Sequence, residues 1–275
     1  MSAVSASARR EHRVTIPSLV ARKARGERIA MLTAYDFAFA SLFDAAEIDV
    51  LLVGDSLANV VQGQDTTLPV TLDEIVYHTR LVARGARRAV VVSDMPFGSY
   101  QVSPRAALRN AIRCVKEGGA HAVKLEGGEN VARTIARIVA AEIPVMGHVG
   151  LTPQAIHRMG GHRIQGRDPE SRARVLRDAR AVEAAGAFAI VLECVPEDLA
   201  REITATLAIP TIGIGAGAHC DGQVLVMHDL LGLGDAPPSF AKQYASLGAL
   251  AVQAARSFSD EVSNAKFPDA RHTHR

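Results

Sequence analysis

Eight short apolar runs, each followed by a stretch of helical period, repeat along this 275-residue chain, and that alternation limits the folds open to it. The runs are Ile29–Thr33, Val50–Gly54, Ala89–Ser93, Ala122–Leu125, Pro144–Gly147, Ala187–Leu192, Pro210–Ile214 and Val224–Met227. Each is almost continuous in Val, Ile, Leu and Ala, without the polar alternation of a sheet that has one wet face. Such runs are buried on both faces, as in a parallel sheet covered by helices. Right-handed β-α-β units leave two choices, a closed barrel or an open doubly wound sheet. Eight runs and no sharp break in the chain favour the barrel, and the length is near the roughly 250 residues typical of one. The expectation is an α/β protein, a (β/α)8 TIM barrel, forming one catalytic domain over 14–268. A flexible arm is expected at 1–13 and a flexible tail at 269–275. A short added helix near Ser18–Arg25 is placed to plug the barrel floor, and an added C-terminal helix is expected through Ser239–Glu261.

Helix starts are legible in the connections. Thr71-Leu72-Asp73-Glu74 reads as a capping box opening a helix to Arg84, with Gly85 just past its end. Ser103-Pro104 and Asp168-Pro169 each set a capping side chain before a first-turn proline. A further helix is expected near Pro196–Leu207. Two long connections, Leu57–Val70 and Leu151–Asp168, have the length of lids or oligomer contacts.

Composition removes several classes of function. Hydrophobic residues make up 48% and charged residues 22%, an ordinary globular balance. A formal net charge of +2, with no basic stripe interleaved with aromatics, gives no footprint for nucleic acid. The apolar runs are too short and too punctuated to span a membrane. Cys114, Cys194 and Cys220 are too few and too scattered for a disulfide framework or a zinc site, which favours a reducing cytosol. The opening MSAVSASARR has the composition of a transit peptide, but no long amphipathic stretch follows it, and a flexible arm is the preferred reading.

The chemistry is indicated by position. Polar residues stand where the apolar runs end: Asp55 and Ser56, Asp94, Lys124 and Glu126, His148, and Glu193. In a TIM barrel those ends form the mouth that carries the active site. One carboxylate there is a commonplace helix cap; four carboxylates with a Lys and a His are not explained by capping. Crowded carboxylates repel one another unless a cation joins them. Magnesium fits, because it takes oxygen ligands and keeps several waters, so one or two direct carboxylates suffice. Asp55 and Asp94 are the candidate direct ligands, while Glu126 reaches the ion directly or through a bound water. Open positions on such an ion suit a 2-oxo acid gripped by its ketone and one carboxylate oxygen. Lys124 and Ser56 would hold the acid's carboxylate; Lys124 as a Schiff-base lysine is the alternative, less favoured with Glu126 two residues along the same strand face. Glu193, behind Phe188–Leu192, is the candidate general base. Burial there would raise its pKa toward neutrality. Its alternative is a cap on the Pro196 helix. His148 is open between a substrate contact and a structural role. The glycine-rich Gly213–Gly217 segment after the seventh run is expected to let backbone amides approach an anion or a substrate.

Several collinear motifs extend this reading. Met31-Leu-Thr-Ala-Tyr-Asp36, Leu52-Val-Gly-Asp-Ser56, Thr67-Leu-Pro-Val-Thr71, Val123-Lys-Leu-Glu-Gly-Gly128, Gly147-His-Val-Gly-Leu-Thr-Pro153 and Leu192-Glu-Cys-Val-Pro196 resemble the 3-methyl-2-oxobutanoate (ketopantoate) hydroxymethyltransferase family. The resemblance covers nearly the whole chain, from about Val14 to Pro268. It implies transfer of a hydroxymethyl group from 5,10-methylenetetrahydrofolate, a co-substrate, to 3-methyl-2-oxobutanoate, giving 2-dehydropantoate in pantothenate and coenzyme A biosynthesis. It further implies one Mg2+ per subunit associated with Asp55, Asp94 and Glu126. Substrate contacts at Asp55, Ser56, Asp94 and Lys124 follow in the same way, with Glu193 as proton acceptor. It also implies a cytoplasmic homo-oligomer, a decamer of two pentamers. The alternative is a magnesium-dependent 2-oxo acid C–C lyase or mutase of the isocitrate lyase and phosphoenolpyruvate mutase type. Those lyases carry a Lys-Cys-Gly-His lid, and none of the three cysteines here sits in one.

Overall fold

The computed structural model describes residues 13–161, 163–234 and 237–274. The described residues form two compact units, one ending at Val226 and one beginning at Met227. Residues 1–12, most of the expected N-terminal arm, lie outside the described residues.

The first unit is a closed barrel of eight parallel strands in sequence order. They are β1 (Ile29–Thr33), β2 (Val50–Val53), β3 (Val90–Asp94), β4 (Ala122–Glu126), β5 (Val145–Gly150), β6 (Ala189–Glu193), β7 (Thr211–Ile214) and β8 (Gly222–Leu225). The ring closes through Ile29 opposite Gly222 and Met31 opposite Val224. Each strand matches an expected run to within a few residues. The largest differences are at β5, which runs on through His148 to Gly150, and at the eighth run, where the strand ends at Leu225.

Side-chain alternation divides the apolar residues into two cores. Met31, Val50, Leu52, Val90, Val92, Ala122, Met146, Val191 and Ile212 fill the barrel interior. Val123, Leu125, Val145, Val149, Ile190 and Leu192 point outward and form a second core with residues of the surrounding helices, among them Ala111, Ile135, Val182 and Ile203.

Helix α1 (Ile16–Arg25) starts two residues before the expected position. Thr15 forms a reciprocal capping box with Ser18, and Pro17 stands in its first turn; a cap of this kind stabilises a helix by about 1 kcal/mol. Leu19, 2% exposed, joins Val14 in the interior core beside the strand-starting residues Ile29, Val50 and Val90, so α1 closes the N-terminal end of the barrel as expected. Burying one such leucine contributes roughly 2 kcal/mol. Arg22 fastens the closure by gripping both oxygens of buried Asp49, at 2.6 and 2.9 Å.

The connecting helices are α2 (Phe37–Ala45), α3 (Leu57–Val60), α4 (Leu72–Gly85), α5 (Pro104–Lys116), α6 (Ala132–Val139), α7 (Ile156–Met159), α8 (Pro169–Ala184) and α9 (Glu197–Thr206). The three predicted caps are present: Thr71 accepts from Glu74 N, Ser103 from Ala106 N, and Asp168 from Ser171 N. The two long connections are not bare loops. One contains α3, and the other a 3-10 turn at Pro153–Ala155 followed by α7.

In the second unit, α10 (Met227–Leu231) precedes α11 (Leu247–Ser263). The C-terminal helix therefore starts eight residues later than expected. Local hydrogen bonds hold the segment before it in a non-helical path: Tyr244 N donates to Leu230 O, and Gln243 Nε2 donates to Ala245 O. No residue of α11 is buried.

Candidate active site

Strand parity explains which side chains meet. Asp94 continues the inward series Val90–Val92, Lys124 and Glu126 continue from Ala122, His148 follows Met146, and Glu193 follows Val191. Pairing sets them side by side: Asp94 opposite Lys124, and Glu126 opposite His148. All but Glu193 are buried. Asp55 and Ser56 come from the turn after β2, where Asp55 N donates to Asp94 Oδ2 at 3.0 Å. Gly54 makes room for that turn, since a Cβ there would come within 2.9 Å of Ser56 Oγ. The sequence-derived site residues thus form one cluster at the C-terminal mouth.

Lys124 Nζ lies 2.5 Å from Asp94 Oδ1. Burial works against its charge, but Asp94, Glu126 and Asp55 together raise its pKa, so the group is held as an ammonium and not as the free amine a Schiff base requires. Asp55 has its carboxyl pushed up to about 8, first by burial and then by the charges of Glu126 and Asp94. Asp94 is also raised, by burial, against the opposing pull of Lys124. Glu126 moves the other way: burial would raise it, but His148 and Lys124 hold it below the usual value.

His148 is the hinge of the charge arrangement. Its Nε2 lies 3.1 Å from Glu193 Oε2, and its Nδ1 lies 3.5 Å from both Glu126 Oε1 and Lys124 Nζ. Burial and the Lys124 charge lower its pKa, yet the two carboxylates win and raise it to about 9. Glu193 differs from expectation in one respect: as the last strand residue it stands at the rim, and its side chain is 17% exposed instead of buried. It does not cap the following helix, whose N-cap is Pro196 with no side-chain cap bond. At Gly217 a Cβ would lie 2.4 Å from Glu197, so that end of the glycine-rich segment packs closely against an acidic side chain.

Residues that sequence reasoning did not single out complete the cluster. Tyr35 OH shares a 2.8 Å hydrogen bond with Ser56 Oγ. Gln154, in the turn after β5, donates from Nε2 to Asp55 Oδ2 at 2.9 Å and from its backbone to Glu126 Oε2 at 3.0 Å. A cavity of about 1010 Å3 opens beside Glu126 and Gln154, with Phe97, Tyr100, Met159 and Arg158 in its walls.

The donor set fits a hard divalent cation. Three buried carboxylates face the Lys124 ammonium and the His148 imidazole, and Glu126 Oε1, 3.5 Å from His148 Nδ1, is buried with no hydrogen-bond partner among the described residues. Among the described residues, no three or more His, Cys, Asp or Glu side chains are grouped so as to hold a metal ion together. Magnesium needs no such group, since one or two carboxylates and several waters suffice. Asp55, Asp94 and Glu126 are the carboxylates of the cluster from which one or two such ligands could come.

A family model described as ketopantoate hydroxymethyltransferase matches residues 13–270. The chain is 57% identical to the 3-methyl-2-oxobutanoate hydroxymethyltransferase of Frankia alni, covering 96% of this chain and 88% of that one. It is 56% identical to the enzyme of that name from Moorella thermoacetica, covering 95% and 97%. Among solved structures, a phosphonopyruvate hydrolase complexed with oxalate and magnesium superposes with a TM-score of 0.61 at 14% identity, covering 94% of this chain and 93% of that one. A 2,3-dimethylmalate lyase of the phosphoenolpyruvate mutase and isocitrate lyase superfamily gives 0.58 at 19% identity, covering 94% and 91%. At those identities the likeness is one of fold.

Proposed function

Because this chain belongs to the ketopantoate hydroxymethyltransferase family, we propose that its barrel mouth deprotonates C3 of 3-methyl-2-oxobutanoate and joins that carbon to a one-carbon unit from 5,10-methylenetetrahydrofolate. The hydroxymethyltransferase activity rests on the family; the donor, the metal and the residue roles are the proposal. The observation that carries it is the arrangement of Asp55, Asp94 and Glu126 about Lys124, with Glu193 across His148 from them.

Lys124 and Ser56 bind the carboxylate of the oxo acid, Lys124 by charge and Ser56 by its hydroxyl, which Tyr35 orients. Asp55, Asp94 and Glu126 hold one Mg2+, directly or through water. The chemistry magnesium supplies when bound is Lewis-acid stabilisation of the negative charge that develops on the ketone oxygen. Glu193 takes the C3 proton: the C–H bond breaks toward its carboxylate, and the electron pair left on carbon forms the new C–C bond. His148, with Nε2 3.1 Å from Glu193 Oε2, sets its charge beside the carboxylate that receives the proton. Balance requires one water: the methylene carbon loses its bonds to the two folate nitrogens and gains C3 and the water's hydroxyl, while the C3 proton and the remaining water hydrogen end on those nitrogens. The cavity beside Glu126 gives a large donor room next to the small acid, with Phe97 and Tyr100 as apolar walls.

The working form is proposed to be a cytoplasmic homo-oligomer, the decamer of two pentamers that the family resemblance implies. Exposed Phe37, Leu42 and Tyr77 on the barrel, and Leu250 and Phe258 on the second unit, are apolar surface that assembly would cover. No helix among the described residues is long and apolar enough to cross a membrane. The deciding assay is hydroxymethyl transfer with and without methylenetetrahydrofolate. Product formed only with the folate supports the reading, and cleavage of a 2-oxo acid adduct without it favours the lyase alternative.

A further inference from the structure

Gln154 has every hydrogen-bonding group of its side chain engaged, and the pattern fixes which way its amide faces. Nε2 donates to Asp55 Oδ2 at 2.9 Å and to Met95 O at 3.0 Å. Oε1 accepts from Tyr100 OH at 2.8 Å and from Gln101 Nε2 at 3.2 Å. Two acceptors meet one end and two donors the other, so a flipped amide would set its oxygen against a carboxylate and a carbonyl. The residue is 6% exposed. Its backbone N–H goes to Glu126 Oε2 at 3.0 Å.

One turn residue therefore takes one oxygen from each of two carboxylates. Oε1 of Glu126 is left without a hydrogen-bond partner among the described residues, and the one polar contact to the Asp55 carboxylate described above falls on Oδ2. Tyr100 extends the brace, since its hydroxyl lies 3.3 Å from Glu126 N as an acceptor. A neutral amide suits this place. A lysine or arginine would set a fixed positive charge beside the carboxylates, and a glutamate would add another negative oxygen against Asp55.

We infer that Gln154 is a positioning residue for the divalent cation: it pins one oxygen of Asp55 and one of Glu126 so that the remaining oxygens face the ion. The inference rests on the reading of those carboxylates as the cation's residues. Outer partners of this kind change metal affinity by about 10–100-fold when removed.

The test is Mg2+ titration of chelator-stripped protein by calorimetry, with Tm measured in chelator alongside. Gln154→Met keeps length and burial, removes both ends of the amide, and leaves the backbone bond to Glu126 intact. It is expected to weaken Mg2+ binding by about 10–100-fold. Gln154→Asn keeps the amide but withdraws it from Asp55, and is expected to weaken binding in the same direction. A merely structural role would lower Tm in chelator and leave the Kd alone. Wild-type affinity in whichever variant folds overturns the inference. Absence of saturable Mg2+ binding in the wild-type protein would instead overturn the metal reading beneath it.

Discussion

Nε2 of His148 stands 3.1 Å from Oε2 of Glu193, while its Nδ1 lies 3.5 Å from Lys124 Nζ on the other side. With the imidazole raised to about 9, it carries a proton at neutral pH and sets a positive charge beside the side chain proposed as the base. Glu193→Gln is expected to bind the oxo acid within a few-fold of wild type, because Lys124 and Ser56 are untouched. Deuterium exchange at C3 should fall by about 100-fold or more. Exchange at the wild-type rate would remove Glu193 from the role of base.

Removal of the metal should be equally plain in its effect. Chelator-stripped protein is expected to lose both C3 exchange and hydroxymethyl transfer, and to regain both when Mg2+ is added. Undiminished exchange without metal would mean that Asp55, Asp94 and Glu126 serve the substrate by hydrogen bonding alone.

At the closed end of the barrel, Asp49 offers a test of stability. It accepts from Arg22, from the Ala30 amide and from Arg88, with its side chain 8% exposed. Burial would raise its pKa, but these partners hold it below the ordinary value. A depressed carboxylate stabilises the fold fully above its unfolded pKa of about 3.9, and that contribution fades as pH falls through the folded value. Asp49→Asn leaves two guanidinium groups without their anion and should cost about 3 kcal/mol at neutral pH, since both arginines keep some solvent. Urea unfolding should show the gap between variant and wild type narrowing below about pH 4. A gap independent of pH would show that packing, not charge, is what Asp49 supplies.

Gly150 tests how tightly the mouth is built. Its φ is 96°, and a Cβ there would lie 2.2 Å from Glu193 O. Gly150→Ala should destabilise by roughly 1–3 kcal/mol from the backbone conformation alone. It should also depress C3 exchange, because the clash pushes on the residue that carries the base. A variant with lower Tm but normal exchange would show that Glu193 tolerates movement of its own backbone.

Strand runs and strand-end carboxylates were legible because burial on both faces and position at a run's end are written in residue type. Asp94, Lys124, Glu126 and Glu193 needed only the two-residue alternation to share one face. His148 stayed ambiguous because Gly147 interrupts the apolar run, concealing that β5 continues past it with the same parity. Gln154 left no signal, since a turn residue has no periodicity to betray where its side chain goes. Ser239–Ser246 read as helix by composition, whereas side-chain to backbone bonds from Gln243, which no periodicity encodes, compete with helix there. The partial exposure of Glu193 follows from barrel geometry: the last strand residue stands at the rim whatever precedes it.

The side chains that fill the barrel interior, with α1 and Leu19 packed beneath them, leave the first unit no passage through its axis, and Lys124 stands deeper in its strand than Glu126 or Glu193. Reactants in such a vessel share one entrance, and depth becomes sequence in time. With the small acid on Lys124 and the bulky donor above it, as proposed, the acid would arrive before the donor, and the spent donor would leave before the product. Initial-rate kinetics should then show compulsory order with the oxo acid first, a rule of traffic set by the packed interior beneath the mouth.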